Sequence, residues 1–264
     1  MVNKVNCFVN LKRGFTLAEC LITVAIVGVV AALLLSNYIR NTQIKTLKTQ
    51  LSTTYAELNQ ISRRFMLDHD ESVASFAVSA NQLDNTKLYN EIGKYFNGRP
   101  VKIAKNYQWV NNNTNNAGLP YEIKSLRGEN KKFFSGCDVP GGLKMSLSGK
   151  IYALDDKPSR GINGPLLCID INGYKKPNTM GMDIFVFVFT IEGDVLPFGD
   201  PKANPFWFNG SKTISNPSSS CLEQLTKTRA QQDLSCTYNA LHNINPKGSG
   251  TYWEDFIAKK QYKD

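Results

Sequence analysis

Two groups near the start of the chain are spaced so that they could neutralise one another. Lys12-Arg13-Gly14-Phe15 closes a short basic stretch, and Glu19 stands four residues after Phe15. If the chain is cut after Gly14, Phe15 gains a positive amine one helical turn from the Glu19 carboxylate. The two can compensate each other within one chain or, better, between two chains stacked with a small offset. Compensation is needed because Phe15 to Leu35 is otherwise apolar apart from Thr16 and Thr23. A carboxylate in such a segment is unfavourable in lipid and normally takes a partner.

The second set of reactive groups is the cysteines. Cys7 precedes Gly14 and Cys20 lies in the apolar stretch, which leaves Cys137, Cys168, Cys221 and Cys236. An even number in an exported domain predicts two disulfides, and no Cys-x-x-Cys pair argues for zinc. Four cysteines allow three connectivities. Cys137–Cys168 with Cys221–Cys236 is the expected one because each bridge joins neighbouring segments.

The third set is Asp170, Asn172 and Asp183, oxygen donors on a glycine-containing stretch between two strand-like runs. Calcium accepts such hard ligands. The EF-hand spacing is incomplete, with Asp-x-Asn-Gly present and no closing Glu. The competing reading is that Asp and Asn cap tight turns around Gly173 and Gly181. Elsewhere the residues for catalysis are sparse. His69 and His242 are the only histidines and are far apart in sequence, Asp155-Asp156 reads as a solvated turn, and no glycine-rich phosphate loop occurs. The chain is therefore expected not to be an enzyme.

The elements that position these groups follow from periodicity. Phe15 to Leu35 spans roughly 30 Å as a helix, enough to cross a bilayer. Beyond it Ile44, Leu47, Leu51, Tyr55, Leu58, Ile61 and Phe65 recur at steps of three and four among polar residues. Neither Pro nor Gly interrupts Val29 to Leu67, so one helix of roughly 80 Å is predicted from Phe15 to about Leu67. A shorter helix is expected over Asn81 to Phe96, and the run Asn111 to Asn116 reads as a loop. From Lys131 the pattern turns to strands: Phe133-Phe134, Leu143 to Leu154, Leu166 to Ile171 and Ile184 to Ile191. The last is apolar on both faces, as a central strand under a helix should be. Glu192-Gly193-Asp194 reads as a hairpin turn into Val195-Leu196. Cys221 to Cys236 could enclose a short helix, and Trp253, Phe256 and Ile257 should dock the C-terminal segment.

The run Lys-Arg-Gly, Phe-Thr-Leu-x-Glu, followed by a helix with Gly28 and Ala31-Ala32, resembles the leader and first helix of type IV pilins and type II secretion pseudopilins. The resemblance covers about residues 12 to 40. It implies that prepilin peptidase cuts between Gly14 and Phe15, that Phe15 is N-methylated, and that Glu19 pairs with a neighbouring subunit's amine during assembly. The chain departs from many members in having Ser36 where they have a Pro. The implied fold class is α+β, a long N-terminal transmembrane and amphipathic helix packed on a small antiparallel sheet. Its divisions would be a leader over 1–14, a membrane half over 15–35, an amphipathic half over 36–67 and an exported head over 68–264. Some pseudopilins carry a calcium loop in the head, which the stretch around Asp170 resembles. The competing reading of the N-terminus is an ordinary signal anchor, or a secretory signal peptide with its cut near Ala31-Ala32. Such a segment has no reason to carry Glu19 at this spacing.

The implied partners are prepilin peptidase, other pilin or pseudopilin subunits and the bacterial inner membrane, crossed once before the head joins a cell-surface or periplasmic filament. The net charge is +9, and +6 without residues 1–14, which hold Lys4, Lys12 and Arg13 and no acid. A basic surface could serve nucleic acid or anionic cell surfaces, and a minor pilin that binds DNA, a surface or a secreted substrate is the alternative to a structural subunit. A modest excess spread along the chain is equally a solvated surface.

Overall fold

A computed structural model of the chain describes residues 16–79, 85–100, 121, 123–126, 143–155, 163–203, 221 and 236–261. The expectations for Gly14, Phe15, Asn111 to Asn116, Phe133-Phe134 and Cys137 lie outside them. The chain divides into two compact units, Met1–Thr42 and Gln43–Asp264.

Helix α1 (Leu17–His69) begins in the first unit and ends in the second. In the first unit it has no core. From Thr16 to Ile39 every described side chain is exposed, including Leu21, Ile22, Val24, Ile26, Val27, Val29, Leu34 and Leu35. An apolar circumference without a preferred face is what lipid, rather than a protein core, selects.

In the second unit the same helix obeys a different pattern. Ile44, Leu47, Leu51, Leu58 and Phe65 are buried, and Tyr55 and Ile61 pack against the same cluster. Each fully buried side chain of this kind contributes roughly 1.5–3 kcal/mol. Past His69 the chain turns at Asp70, whose φ is 56°, into α2 (Val73–Ser79). Ser72 caps α2, its hydroxyl accepting the Ser75 N–H at 3.1 Å. The helix expected over Asn81 to Phe96 is observed as α3 (Asn85–Ile92).

Six strands form one antiparallel sheet in chain order: β1 (Gly98–Pro100), β2 (Leu143–Ser146), β3 (Ile151–Asp155), β4 (Leu166–Asp170), β5 (Ile184–Phe189) and β6 (Val195–Pro197). The run Leu143 to Leu154, read as a single strand, is two. The chain reverses between Ser146 and Lys150, where Gly149 takes φ 86° and Leu147 is 93% exposed. The odd-numbered apolar positions continue across the turn and hide it, although Ser148-Gly149 is turn chemistry.

Strand β5 is buried along its whole length, because Phe185, Phe187 and Phe189 join the cluster under α1 while Ile184, Val186 and Val188 join a second cluster with Tyr121, Met180 and Phe198. The Tyr55 ring stacks on Phe187 at 5.9 Å. The hairpin around Gly193 rests on α1: the Ser62 hydroxyl donates to the Gly193 carbonyl at 2.7 Å, and a Cβ there would fall 1.9 Å from Met66 Sδ. At the C-terminal end come α4 (Cys236–His242) and a π-helical turn over Tyr252–Ile257. Tyr252, Trp253, Phe256 and Ile257 are fully buried. The Trp253 indole donates to the Ala240 carbonyl at 2.9 Å and the Tyr252 hydroxyl to the Gly181 carbonyl at 2.6 Å, so docking is polar as well as apolar.

Candidate functional site

At the start of α1, Thr16 and Glu19 satisfy one another. The Glu19 carboxylate accepts the Thr16 N–H at 2.8 Å and the Thr16 hydroxyl at 2.9 Å, while the Glu19 N–H donates to that hydroxyl oxygen at 3.2 Å. This is a capping box, in which a Thr before the helix and a Glu three residues later exchange bonds with the otherwise unpaired first N–H groups. The reading of Glu19 as a group awaiting an amine missed this local partner. The signal was present as Thr16-x-x-Glu19. One turn further on, the Thr23 hydroxyl folds back onto the Glu19 carbonyl at 2.9 Å, so none of Thr16, Glu19 and Thr23 is left without a bond.

The second candidate is the β4–β5 connection. Asp170 and Asp183 are fully buried. Asp170 Oδ1 accepts the N–H groups of Asn172 at 3.0 Å and Gly173 at 2.6 Å, and its Oδ2 accepts the Tyr121 hydroxyl. Asp183 accepts the Thr179 N–H at 2.6 Å and the Asn178 N–H at 2.7 Å. Both carboxylates thus organise turns, and Gly173 at φ 69° and Gly181 at φ 80° supply the left-handed backbone those turns need. Burial first, and then the charge of Asp183, pushes the Asp170 carboxyl up; burial pushes Asp183 up against the opposing pull of its two N–H donors. Tyr121 was not singled out in the sequence, and no local pattern could have found a partner 49 residues away.

These residues offer a cation only part of a shell. The carboxylates already receive five hydrogen bonds, whereas the side-chain oxygens of Asn172 and Asn178 are buried without a donor. Among the described residues no group of three or more His, Cys, Asp or Glu side chains gathers as a metal set. The two histidines are used in packing: His69 stacks on Phe65 at 4.2 Å, and His242 packs on Tyr238 at 4.3 Å.

Of the cysteines, Cys221 and Cys236 form a disulfide, and Cys168 is also disulfide-bonded. Cys20 is a free thiol on the exposed apolar part of α1. The short helix expected between Cys221 and Cys236 falls on residues 222–235, outside the described residues, and α4 starts at Cys236.

A helix whose apolar surface is exposed all round, capped by its own carboxylate and continuing into the core of an antiparallel-sheet head, is a pilin-like architecture with one helix long and apolar enough to cross a membrane. Residues 9–35 match the family model described as the prokaryotic N-terminal methylation motif, so the chain carries the prepilin signature of type IV pilins and pseudopilins. That motif implies processing by prepilin peptidase and assembly with other pilin subunits. No curated protein and no solved structure matches the chain.

Proposed function

We propose that the chain is a structural subunit of a type IV pilus or a type II secretion pseudopilus. It would be cut between Gly14 and Phe15, methylated on Phe15, held in the inner membrane by residues 15–35 with its head exported, and assembled into a filament by helix bundling. The observation that carries this reading is the exposed apolar surface from Leu17 to Ile39 on a helix that bears Glu19 within the methylation motif. The engagement of both histidines in aromatic packing supports a role without catalysis.

Glu19 is the assembly residue in this reading. Glu19→Ala removes a carboxylate from an apolar span, so insertion and cleavage continue while filament incorporation falls. Comparing the variant with the unmodified chain in membrane and sheared-filament fractions tests this. Incorporation equal to that of the unmodified chain refutes the pairing role, and loss from the membrane assigns Glu19 to insertion. Mass spectrometry should find N-methylated Phe15 at the mature terminus, and an unmodified Met1 or a start near Ala32 would remove the assignment.

A calcium-loaded head is a second reading, favoured by the orphaned Asn172 and Asn178 oxygens beside Asp170 and Asp183. Calcium should then raise the melting temperature through mass action, and Asp183→Ala should abolish the rise. Identical melting with calcium and with chelator leaves the turn role alone.

A further inference from the structure

Among the described residues, the charges of the head are sorted along α1. Near its Gln43 end, the Gln43 amide donates to the Lys176 carbonyl at 3.3 Å, which places the 171–182 loop there. Lys175 and Lys176 are exposed on that loop, Lys124 is exposed on the segment that bonds to it through the Asn178 carbonyl, and Lys45 is exposed on the helix itself. No carboxylate occurs between residues 43 and 56 or between 171 and 182. Glu254, which reaches this end, is occupied by Lys48 at 2.6 Å.

The other end has the opposite sign. The turn holding Glu192 and Asp194 sits on Ser62 and Met66, and Asp68, Asp70 and Glu71 follow on the helix end and its corner. Among the described residues these five carboxylates outnumber the nearby cations Arg63, Arg64 and Lys202, the last reached from Ile191 through Asn163, while Glu91 and Lys94 pair with each other at 2.5 Å. Gln43 and Met66 are about 35 Å apart at about 1.5 Å per helical residue. The sorting is therefore axial, with the 171–182 loop and the 190–194 turn at opposite ends of β5.

We infer that this dipole is a docking device for a second copy of the chain, in which Lys124, Lys175 and Lys176 of one head meet Asp68, Asp70, Glu192 and Asp194 of the next. A surface that fits not itself but the opposite end of its own molecule makes a heterologous contact, and such contacts propagate as an open filament unless a rotation closes them. Charges at the rim of such a contact set register and speed encounter, and like charges brought together disfavour wrong alignments. The inference rests on the filament-subunit reading and adds which parts of the head meet.

The test is charge reversal in the full-length chain, in cells that assemble the filament. Lys175→Glu with Lys176→Glu should lower the sheared-filament fraction by about fivefold or more, and Glu192→Lys with Asp194→Lys should do the same, because each brings like charges together. Combining all four in one chain should bring incorporation back to within about twofold of the unmodified chain. All four residues are exposed, and equal amounts of each variant in the membrane fraction, with equal resistance to protease, show that the heads are folded. Reversals without effect, a loss from only one end, or a combined loss larger than either alone overturns the inference. An unmodified chain that never enters filaments instead removes the underlying reading of the protein as a subunit.

Discussion

Lys150 is a charged side chain placed almost out of water, and its removal and that of its partner should have unequal consequences. It follows the β2–β3 turn, its side chain is 7% exposed, and its ammonium bonds to Glu57 on α1, which is 44% exposed. The Tyr152 hydroxyl shares the same carboxylate oxygen at 3.4 Å. Breaking a fully buried pair from one side costs about 3–5 kcal/mol, and an exposed pair contributes about 0.2–1 kcal/mol. With one partner buried and the other half in water, Glu57→Ala should cost about 2 kcal/mol, most of it from stranding the buried ammonium. Lys150→Met keeps the aliphatic stem in place, removes the buried charge and leaves Glu57 to water, so its cost should stay within about 1 kcal/mol. For a unit of this size 1 kcal/mol moves the melting temperature by about 2–4 °C. Thermal unfolding of the detergent-solubilised chain, followed by near-ultraviolet circular dichroism, should therefore show Glu57→Ala melting about 4–8 °C lower. The double variant should resemble Lys150→Met alone. If Lys150→Met loses as much as Glu57→Ala, attraction within the pair outweighs the desolvation of Lys150 and the reasoning fails.

Two further outcomes concern the head. Cys221 and Cys236 are 15 residues apart in sequence, and releasing a loop of about that length should cost about 3 kcal/mol. Cys221→Ser with Cys236→Ser should melt correspondingly lower, and alkylation of the unreduced native chain that labels both thiols would contradict the bridge. Asp170 and Asp183 both titrate above their unfolded values, so the folded chain holds protons that the unfolded chain releases. The stability linked to them is fully present below about pH 4 and is lost as pH rises through the raised folded values. Melting temperature should fall between about pH 4 and 7 as Asp183 ionises. Asp170→Asn should flatten the fall, since its Oδ1 keeps the Asn172 and Gly173 N–H groups and the Tyr121 hydroxyl can turn to accept. An unchanged slope in the variant would place the dependence elsewhere.

The long helix is legible because its two environments leave two patterns in one element: an unbroken apolar run up to Leu35 and a stripe at three and four from Ile44 to Phe65. The two-sided burial of β5 is legible for a similar reason, since the run Ile184 to Phe189 has no polar position with which to face water. The β2–β3 hairpin is obscured because Met145, Leu147 and Ile151 keep the strand period across a turn in which Leu147 faces solvent. Asp170 and Asp183 could be chosen from sequence both as oxygen donors and as caps of turns around Gly173 and Gly181, but deciding between the two depends on Tyr121 and on which N–H groups the folded loop presents. The charge sorting along α1 was equally hidden. Lys175 and Glu192 lie 17 positions apart in the chain, and only the pairing of loop and turn with opposite ends of the helix separates them in space.

The capping box changes the physical account of Glu19. A carboxylate that had to wait for a neighbouring amine would enter the membrane uncompensated. Thr16 instead supplies an N–H and a hydroxyl from within the same turn, both to Oε2. Neutral donors lessen the cost of the charge without cancelling it, and among the described residues Oε1 receives no bond. An amine from an adjacent chain could add a charge-assisted bond, the stronger kind, without displacing Thr16. Its attraction would grow as packed helices lower the local dielectric. On the proposed filament reading, insertion and assembly would draw on different oxygens of one side chain, so a lone subunit would not have to unmake its helix cap in order to join a filament.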